Sequence, residues 1–240
     1  LRAPGFLLDG CPVIGDEDGA ELCVFVSHLH EDHMLLLPFV AADVPVLMSE
    51  PGARLHGALV AAGALPAAKA QVSGVAPGRA VAVGDLTVEV IAVDHDVPGS
   101  AGVLVDTPDG SVAYTGDWRR HGRSPELMAE FAARCAGVDV LITEASTATN
   151  PGSPQATLPN VAERDVVDAF AKLVAGSRRG VYCSFHERNL ERQSDIREVA
   201  AAQGRVLVLS ARTHAIWREA TAAGFPGLDT GDGVAVWADH

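Results

Sequence analysis

Histidines and aspartates with the spacing of metal ligands form the clearest chemical signal in this sequence. They follow a short apolar run at 22–26, in the order His28, His30, Asp32 and His33. On extended backbone, side chains two positions apart point to the same side, so His28 and His30 can meet one ion. Asp32 and His33 can turn toward a second ion as the chain enters a helix. The spacing therefore predicts a metal site built from imidazoles and carboxylates.

Three more candidate ligands follow predicted strands that lie far along the chain. They are His95, Asp117 and Glu144. Two-metal hydrolytic sites hold their cations about 3.5–4 Å apart, and a carboxylate from a distant strand can bridge them. An H-x-H pair alone indicates a metal site only weakly. The complete order, with a later histidine and a later glycine-aspartate step, indicates it strongly.

The predicted elements place these residues at strand ends. A helix is predicted over 34–42, and a β-hairpin with arms at 102–106 and 111–115. Beyond a loop at 146–160 that is rich in Ser, Thr, Pro, Asn and Gly, helix and strand patterns alternate. The alternation consists of helices 161–175, 188–202 and 212–223 and strands 180–185 and 205–209. This order predicts a parallel sheet with crossover helices.

The composition is typical of a folded protein of one or two domains, with 240 residues, 48% of them apolar and 20% charged. A formal net charge of −13 argues against binding nucleic acid over the whole surface, which needs basic residues. Residues 1–118 hold 4 basic and 16 acidic side chains, and residues 119–240 hold 14 and 15. An anionic partner is therefore expected to contact the second half of the chain.

The cysteines and the hydropathy pattern indicate the cellular setting. Cys11, Cys23, Cys135 and Cys183 are scattered and include no CxxC pair. This pattern is typical of a reduced cytoplasm and supports neither a cysteine zinc site nor a disulfide framework. No apolar run approaches the roughly 18–20 residues that cross a bilayer. We therefore predict a cytoplasmic protein with no membrane partner.

The motifs resemble those of the metallo-β-lactamase superfamily, whose first metal motif is H-x-H-x-D-H after a buried strand, as at 28–33 here. The stretch D-H-D-V-P-G-S at 94–100, followed by T-G-D at 115–117, resembles the β-CASP branch and most closely the ribonuclease J group. The stretch L-I-T-E at 141–144 occupies the place of the acidic motif of that branch.

The resemblance implies an α/β fold, the metallo-β-lactamase αββα sandwich with part of an inserted α/β β-CASP domain. Residues 1–150 would form the core, with its N-terminal strands incomplete, and residues 151–240 would begin the inserted domain. No stretch resembles the two later histidine motifs of the β-CASP branch, one of which completes the second metal site. The chain is therefore expected to be a fragment, and any homo-oligomer is expected to form through regions outside it.

The resemblance also implies roles for the candidate ligands. His28, His30 and His95 would bind one zinc ion, Asp32 and His33 would bind the second, and Asp117 would bridge the two. Mn²⁺ or Mg²⁺ are the alternatives to zinc. A zinc-activated hydroxide would attack an RNA phosphodiester bond, with catalytic roles for Asp32 and Glu144. The function implied is RNA processing or decay by a metal-dependent ribonuclease.

Four residues are candidate contacts to the RNA substrate. Arg119 follows the bridging aspartate, and Ser184, His186 and Arg188 follow a predicted strand at the start of a helix, where backbone N–H groups favour anions. Solvated loop and helix-surface side chains are the competing interpretation of all four.

Two other functions stay open at the level of sequence. The same two-metal site could hydrolyse a small phosphodiester, a thioester or a lactone, because the second half is close to neutral. Alternatively, the chain could be a truncated, non-catalytic metal-binding module, because its second metal site lacks one ligand.

Overall fold

The computed structural model describes residues 22–145 and 161–237. In chain order, the described strands are β1 (Val24–Phe25), β2 (Val46–Ser49), β3 (Val72–Val75), β4 (Ala80–Val83), β5 (Leu86–Ala92), β6 (Ala101–Thr107), β7 (Gly110–Tyr114), β8 (Val140–Ile142), β9 (Leu207–Leu209) and β10 (Val234–Val236). The described helices are α1 (Glu31–Met34), a 3-10 turn (Leu37–Phe39), α2 (Glu50–Ala61), α3 (Glu126–Arg134), α4 (Glu163–Gly176), α5 (Leu190–Ala202) and α6 (Ala211–Ala222).

These strands form three sheets. The first sheet has the order β1-β2-β3 with parallel neighbours. The second has the order β4-β5-β6-β7-β8, antiparallel except for the parallel pair β7 and β8. The third pairs β9 and β10 in parallel. The predicted hairpin is confirmed, because β6 and β7 pair in a register that opposes Thr107 to Gly110.

Local sequence explains where several helices begin. The side chains of Ser49, Asn189 and Ser210 each accept a hydrogen bond from a backbone N–H three residues later, at 3.0 Å in each case. Such caps satisfy backbone donors that the first turn of a helix leaves without a partner. They define the starts of α2, α5 and α6.

Alternation along the strands assigns the layers. In β2, Leu47 packs with Val90 and Val103 of the second sheet, so this cluster fills the space between the two sheets. On the outer face of the second sheet, Ile91 packs against Phe131 of α3. The layer order is therefore α2 and α6, first sheet, second sheet, α3, which is the αββα sandwich that the sequence analysis predicts.

The second half of the chain packs into the same core as the first sheet. Met48 of β2 and Leu55 of α2 lie in one buried cluster with Ile216 and Trp217 of α6. The indole N–H of Trp217 also donates to Gln193, which is fully buried. Helix α6 is thus held against the sandwich by apolar packing. The predicted loop at 146–160 lies outside the described residues, and the division at 150 stays a prediction.

The predicted helix over 34–42 is wrong in extent. Helix α1 begins at Glu31 and ends at Met34, and a 3-10 turn at Leu37–Phe39 follows it. Pro38 has no backbone N–H to donate, so an α-helix cannot continue through it with its hydrogen bonds intact.

The predicted strand over 180–185 is also wrong. Residues 181–186 have no regular secondary structure, and Tyr182 is fully exposed. Among the described residues, β9 pairs with β10 on one edge, and the apolar run at 180–183 does not pair with its other edge. An apolar run becomes a strand only where a neighbouring backbone completes its hydrogen bonds.

No helix in the described ranges is long and apolar enough to span a bilayer.

Candidate metal centre

Three ring nitrogens converge at the end of β1. The Nδ1 atom of His30 lies 3.0 Å from Nε2 of His28 and 3.2 Å from Nε2 of His95. Because zinc–nitrogen bonds measure about 2.0–2.1 Å, two nitrogens on one tetrahedral zinc ion lie roughly 3.3 Å apart. The spacing of the three nitrogens therefore matches that of ligands on a single ion. We call His28, His30 and His95 the three-histidine half of the centre.

A second group lies beside the first. The Nε2 atom of His33 lies 3.5 Å from Oδ2 of Asp32 and 3.3 Å from Oδ1 of Asp117. The other oxygen of Asp117, Oδ2, lies 3.9 Å from Nε2 of His28. One carboxylate thus presents an oxygen to each group, as a bridging ligand must. We call Asp32, His33 and Asp117 the carboxylate half.

The elements position the two halves through close packing. Gly116 precedes Asp117 at a φ of 59°, and a Cβ there would meet Cβ of Ser27 at 2.7 Å. Only glycine combines this left-handed backbone with so close an approach. The loop after β7 therefore lies directly against the loop after β1, which brings Asp117 to the histidines.

Ser27 helps to set which ring nitrogen faces the centre. Its hydroxyl lies 3.1 Å from Nδ1 of His28 and 3.5 Å from Nδ1 of His33. With Nδ1 engaged in this way, the Nε2 lone pair of each ring can face the other ligands.

Burial keeps the key imidazoles neutral. It lowers the pKa of His28 to about 2, with neighbouring histidines adding to the effect, and the pKa of His95 to about 4, against the opposing effect of Asp96. Burial also lowers the pKa of His30. A metal binds neutral imidazole, so these rings are ready ligands at neutral pH. Burial raises the pKa of Asp117, against the opposing effect of His33.

The residues present fit a divalent cation. Asp96 Oδ1 is buried and has no hydrogen-bond partner, yet it lies 3.3 Å from Nε2 of His30 and 3.3 Å from Nε2 of His95. The Nε2 atom of His95 also faces Nδ1 of His30, so it presents its lone pair to the centre. A buried carboxylate oxygen facing that lone pair is costly unless a positive charge lies between them. The donor set of imidazoles and carboxylates is one that zinc accepts. Divalent metal binding is the function that this geometry supports.

Glu144 lies next to Asp117. Its Oε1 accepts a hydrogen bond of 3.0 Å from the backbone N–H of Trp118, and its charge acts on both Asp117 and His95. The structure thus brings the predicted acidic residue to the edge of the centre.

A cavity of about 460 Å³ opens beside the centre and is walled on one side by the second half of the chain. The predicted substrate contacts Arg119 and His186 both line it. The His186 ring packs edge-to-face against His30, with 4.5 Å between ring centres. Arg119 is engaged in ion pairs, 3.5 Å from Asp94 and 3.7 Å from Glu163.

The other two predicted substrate contacts do not line this cavity. Ser184 is exposed and lies beside a smaller pocket near α4 and α5. Arg188 is buried, and its guanidinium donates to the backbone carbonyl of Leu29 and to Glu31 at 3.3 Å. Arg188 therefore clamps the loop that carries His28 and His30, a role that the sequence did not reveal.

Asp96 and Glu163 lie near the centre and were not singled out from the sequence. Asp96 is the unpartnered carboxylate described above. Buried Glu163 forms a two-pronged ion pair with Arg192 of the cavity wall, with contacts of 2.8 and 2.7 Å. The position of Asp96 directly after a predicted ligand histidine was the available signal, whereas nothing local distinguishes Glu163.

Comparison with known proteins agrees with the fold. The model of the β-lactamase superfamily domain matches residues 15–179, more than half of the chain. The chain therefore belongs to the metallo-β-lactamase superfamily.

Within that superfamily, the chain is similar to ribonuclease J. It is 29% identical over 190 residues to ribonuclease J of Mycolicibacterium smegmatis, covering 75% of this chain and 32% of that protein. It is 25% identical over 206 residues to ribonuclease J of Thermus thermophilus, covering 78% and 34%. The chain thus spans about a third of the length of these relatives.

A solved structure of similar fold is a protein of unknown function from Enterococcus faecalis V583. The TM-score is 0.70 and the sequences are 26% identical, over 88% of this chain and 51% of that one.

Proposed function

We propose that this chain is the metal-binding part of a hydrolase that cleaves RNA phosphodiester bonds, as the name of its ribonuclease J relatives indicates for those proteins. The observation that carries the proposal is the convergence of three histidine nitrogens beside a carboxylate that faces both halves of the centre. This arrangement is the one that two-metal hydrolysis requires.

We propose zinc for the three-histidine half, because imidazole ligands suit zinc. The carboxylate half accepts zinc or the harder ions Mn²⁺ and Mg²⁺. Bound cations would lower the pKa of water toward neutrality and offset negative charge on the phosphate under attack.

The protein residues have distinct proposed tasks. Asp117 ties the two halves together through its two oxygens, and Asp32 completes the carboxylate half. Glu144, held by the backbone N–H of Trp118, is placed to hold a proton at its carboxylate next to the centre. Ser27 holds the rings of His28 and His33 in the productive orientation.

The cavity beside the centre is the proposed place for the substrate. His121, His186 and Arg192 line it together with Arg119, so donors from the second half face the metal ligands. These groups can donate hydrogen bonds to a phosphate. The RNA backbone would then lie between the sandwich and the helices that follow residue 161.

One observation favours a second candidate, hydrolysis of a small phosphodiester, thioester or lactone. The two arginines of the cavity are already paired with carboxylates, Arg119 with Asp94 and Glu163, and Arg192 with Glu163. Paired arginines attract a polyanion less than free ones do. A small substrate needs fewer phosphate contacts than RNA does.

Substrate comparison tests the proposal. The chain is incubated with a 5′-monophosphorylated RNA, with bis(p-nitrophenyl) phosphate and with a lactone, each with zinc or manganese. Asp117→Ala is the inactive variant, and Asp109→Ala, at an exposed turn, is the matched control. RNA cleavage that Asp117→Ala abolishes and Asp109→Ala retains supports the ribonuclease.

Turnover of the small substrates alone supports the second candidate and overturns the first. Metal binding without turnover of any substrate overturns both and leaves a non-catalytic metal-binding chain.

Further parts of the proposal concern organisation. We propose that residues 1–150 form the metallo-β-lactamase core and that 151–240 begin a β-CASP domain. We also propose a cytoplasmic location, on the scattered cysteines, and homo-oligomers formed through regions outside this chain. Size-exclusion chromatography of a longer version and of this chain tests the oligomer, since only the longer version is expected to self-associate.

A further inference from the structure

Asp96 has surroundings that its sequence position does not explain. Its Oδ1 lies 3.3 Å from Nε2 of His30 and equally far from Nε2 of His95. That oxygen is buried and accepts no hydrogen bond of good geometry, although about a quarter of the side chain is exposed. A buried carboxylate oxygen without a hydrogen bond is unfavourable, so it needs a partner that carries a proton or a positive charge.

The orientation of the His30 ring identifies that partner. His30 turns Nδ1 toward His28 and His95, at 3.0 and 3.2 Å, which leaves Nε2 on the far side of the ring. A neutral imidazole carries its one proton on the nitrogen that does not bind metal. The proton of His30 therefore belongs on Nε2, the atom that faces Asp96.

The neighbouring histidine has a partner of the same kind. Nδ1 of His28 lies 3.1 Å from the Ser27 hydroxyl, and its Nε2 faces the centre. His30 coordinates through the opposite nitrogen, so it needs an acceptor on the opposite side of its ring. Asp96 supplies that acceptor from the loop after β5.

The His30 ring is also held against a third group. The His186 ring lies edge-to-face on it, at 4.5 Å between centres and with 82° between planes. His186 comes from the second half of the chain, so the ring is enclosed by two remote segments. Packing restricts the tilt of the ring, and Asp96 is the group that lies beside Nε2.

We propose that Asp96 is a positioning residue for the metal centre: it accepts a hydrogen bond from Nε2–H of His30 and so directs the Nδ1 lone pair toward the metal. This inference rests on the metal centre of the proposed function but not on the identity of the substrate. Partners of this type on ligand histidines typically contribute about 10–100-fold to metal affinity.

Cobalt binding tests the proposal independently of any hydrolysis. The dissociation constant of Co²⁺ is measured by competition with a chelator, and its visible absorption reports the ligand geometry. Asp96→Ala is expected to weaken binding by about 10–100-fold. Asp96→Asn keeps an acceptor oxygen and is expected to recover part of the affinity. Asp109→Asn removes an exposed carboxylate of equal charge and is expected to bind as the unmodified chain does.

A second readout separates orientation from general structural damage. Nitrogen-15 NMR of the metal-free chain reports which nitrogen of His30 carries the proton. The Nε2–H form is expected to predominate in the unmodified chain and to lose that predominance in Asp96→Ala. Circular dichroism checks that each variant is folded. If Asp96→Ala does not fold, the comparison is made with Asp96→Asn.

The possible results are distinct. Unchanged cobalt affinity and an unchanged His30 tautomer in a folded Asp96 variant overturn the positioning role. If the unmodified chain binds no cobalt, the metal centre of the proposed function is overturned instead. The NMR measurement of the His30 tautomer then decides by itself whether Asp96 orients the His30 ring.

Discussion

The two halves of the metal centre are assembled in the same way but differ in burial. Each half combines two residues close in sequence with one remote residue, His95 in the first half and Asp117 in the second. The His28 side chain is fully buried, whereas the Asp32 side chain is 77% exposed.

This difference predicts different metal affinities. The three-histidine half is enclosed and its rings are held by Ser27, Asp96 and His186, so little ordering is needed when a metal binds. The carboxylate half is open to water on the side of Asp32. We therefore expect one tight and one weaker cation, with Asp117 as the residue common to both.

Replacing that common residue is expected to have the largest effect. In Asp117→Ala, both halves lose an oxygen ligand, so both cations bind more weakly and hydrolysis falls by at least about 10²–10³-fold. Metal content by mass spectrometry and turnover by a fluorescence assay measure the two effects. Loss of one cation only would show that Asp117 does not bridge, and Asp109→Ala is the control.

Single-histidine variants are expected to separate the two halves. His28→Ala removes a ligand of the three-histidine half. Removing only the hydrogen-bond partner of a ligand typically weakens metal binding by roughly 10–100-fold. Removing the ligand itself is expected to weaken binding of the tight cation by more than that. His33→Ala is expected to affect the weaker cation alone. Calorimetric titration with zinc resolves the two binding steps. If both variants bind the tight cation equally weakly, the distinction between the two halves is contradicted.

The Arg188 clamp is expected to act on stability and, through it, on the three-histidine half. Arg188→Ala leaves the buried carbonyl of Leu29 without a donor, which costs about 1–3 kcal/mol of unfolding free energy. Urea unfolding of the metal-free chain measures this, and zinc titration is expected to show a moderate loss at the tight site. Arg178→Ala, at an exposed position, is the matched control. Equal unfolding midpoints for the two variants would exclude the clamp.

The smallest expected effect is a pH dependence of the metal-free chain. Folded His28 and His95 have pKa values of about 2 and about 4, below the usual 6.5. Below about pH 6.5, unfolding therefore takes up protons. The free energy of unfolding has its full value above that pH and falls as the pH decreases toward the folded pKa values. Urea midpoints at about pH 7.5 and about pH 5 measure the decline.

His28→Asn removes one of these titrating groups, so its midpoint is expected to change less between the two pH values. An equal pH dependence in the variant and in the unmodified chain would show that burial of His28 has no such effect.

The sequence predicted the candidate ligands and the hairpin because those signals are local, and it predicted the sandwich through the resemblance that the motifs carry. The H-x-H-x-D-H order needs only extended backbone followed by a helical turn, and the hairpin of β6 and β7 needs only a turn sequence between apolar runs. Strands β3 and β4 were not predicted, since their short runs depend on neighbouring strands for definition. The strand expected at 180–185 failed for the same reason.

By itself, the sequence determined which ligand types are present, in what order, and therefore the superfamily. Only the tertiary structure decided what surrounds them: that Arg188 clamps the loop of His28 rather than facing the cavity, that Asp96 faces His30, and that His186 packs on the same ring. The physical reason is distance along the chain. Ligand spacing within a motif is set by local backbone geometry, whereas contacts between remote segments depend on how the sheets and helices pack.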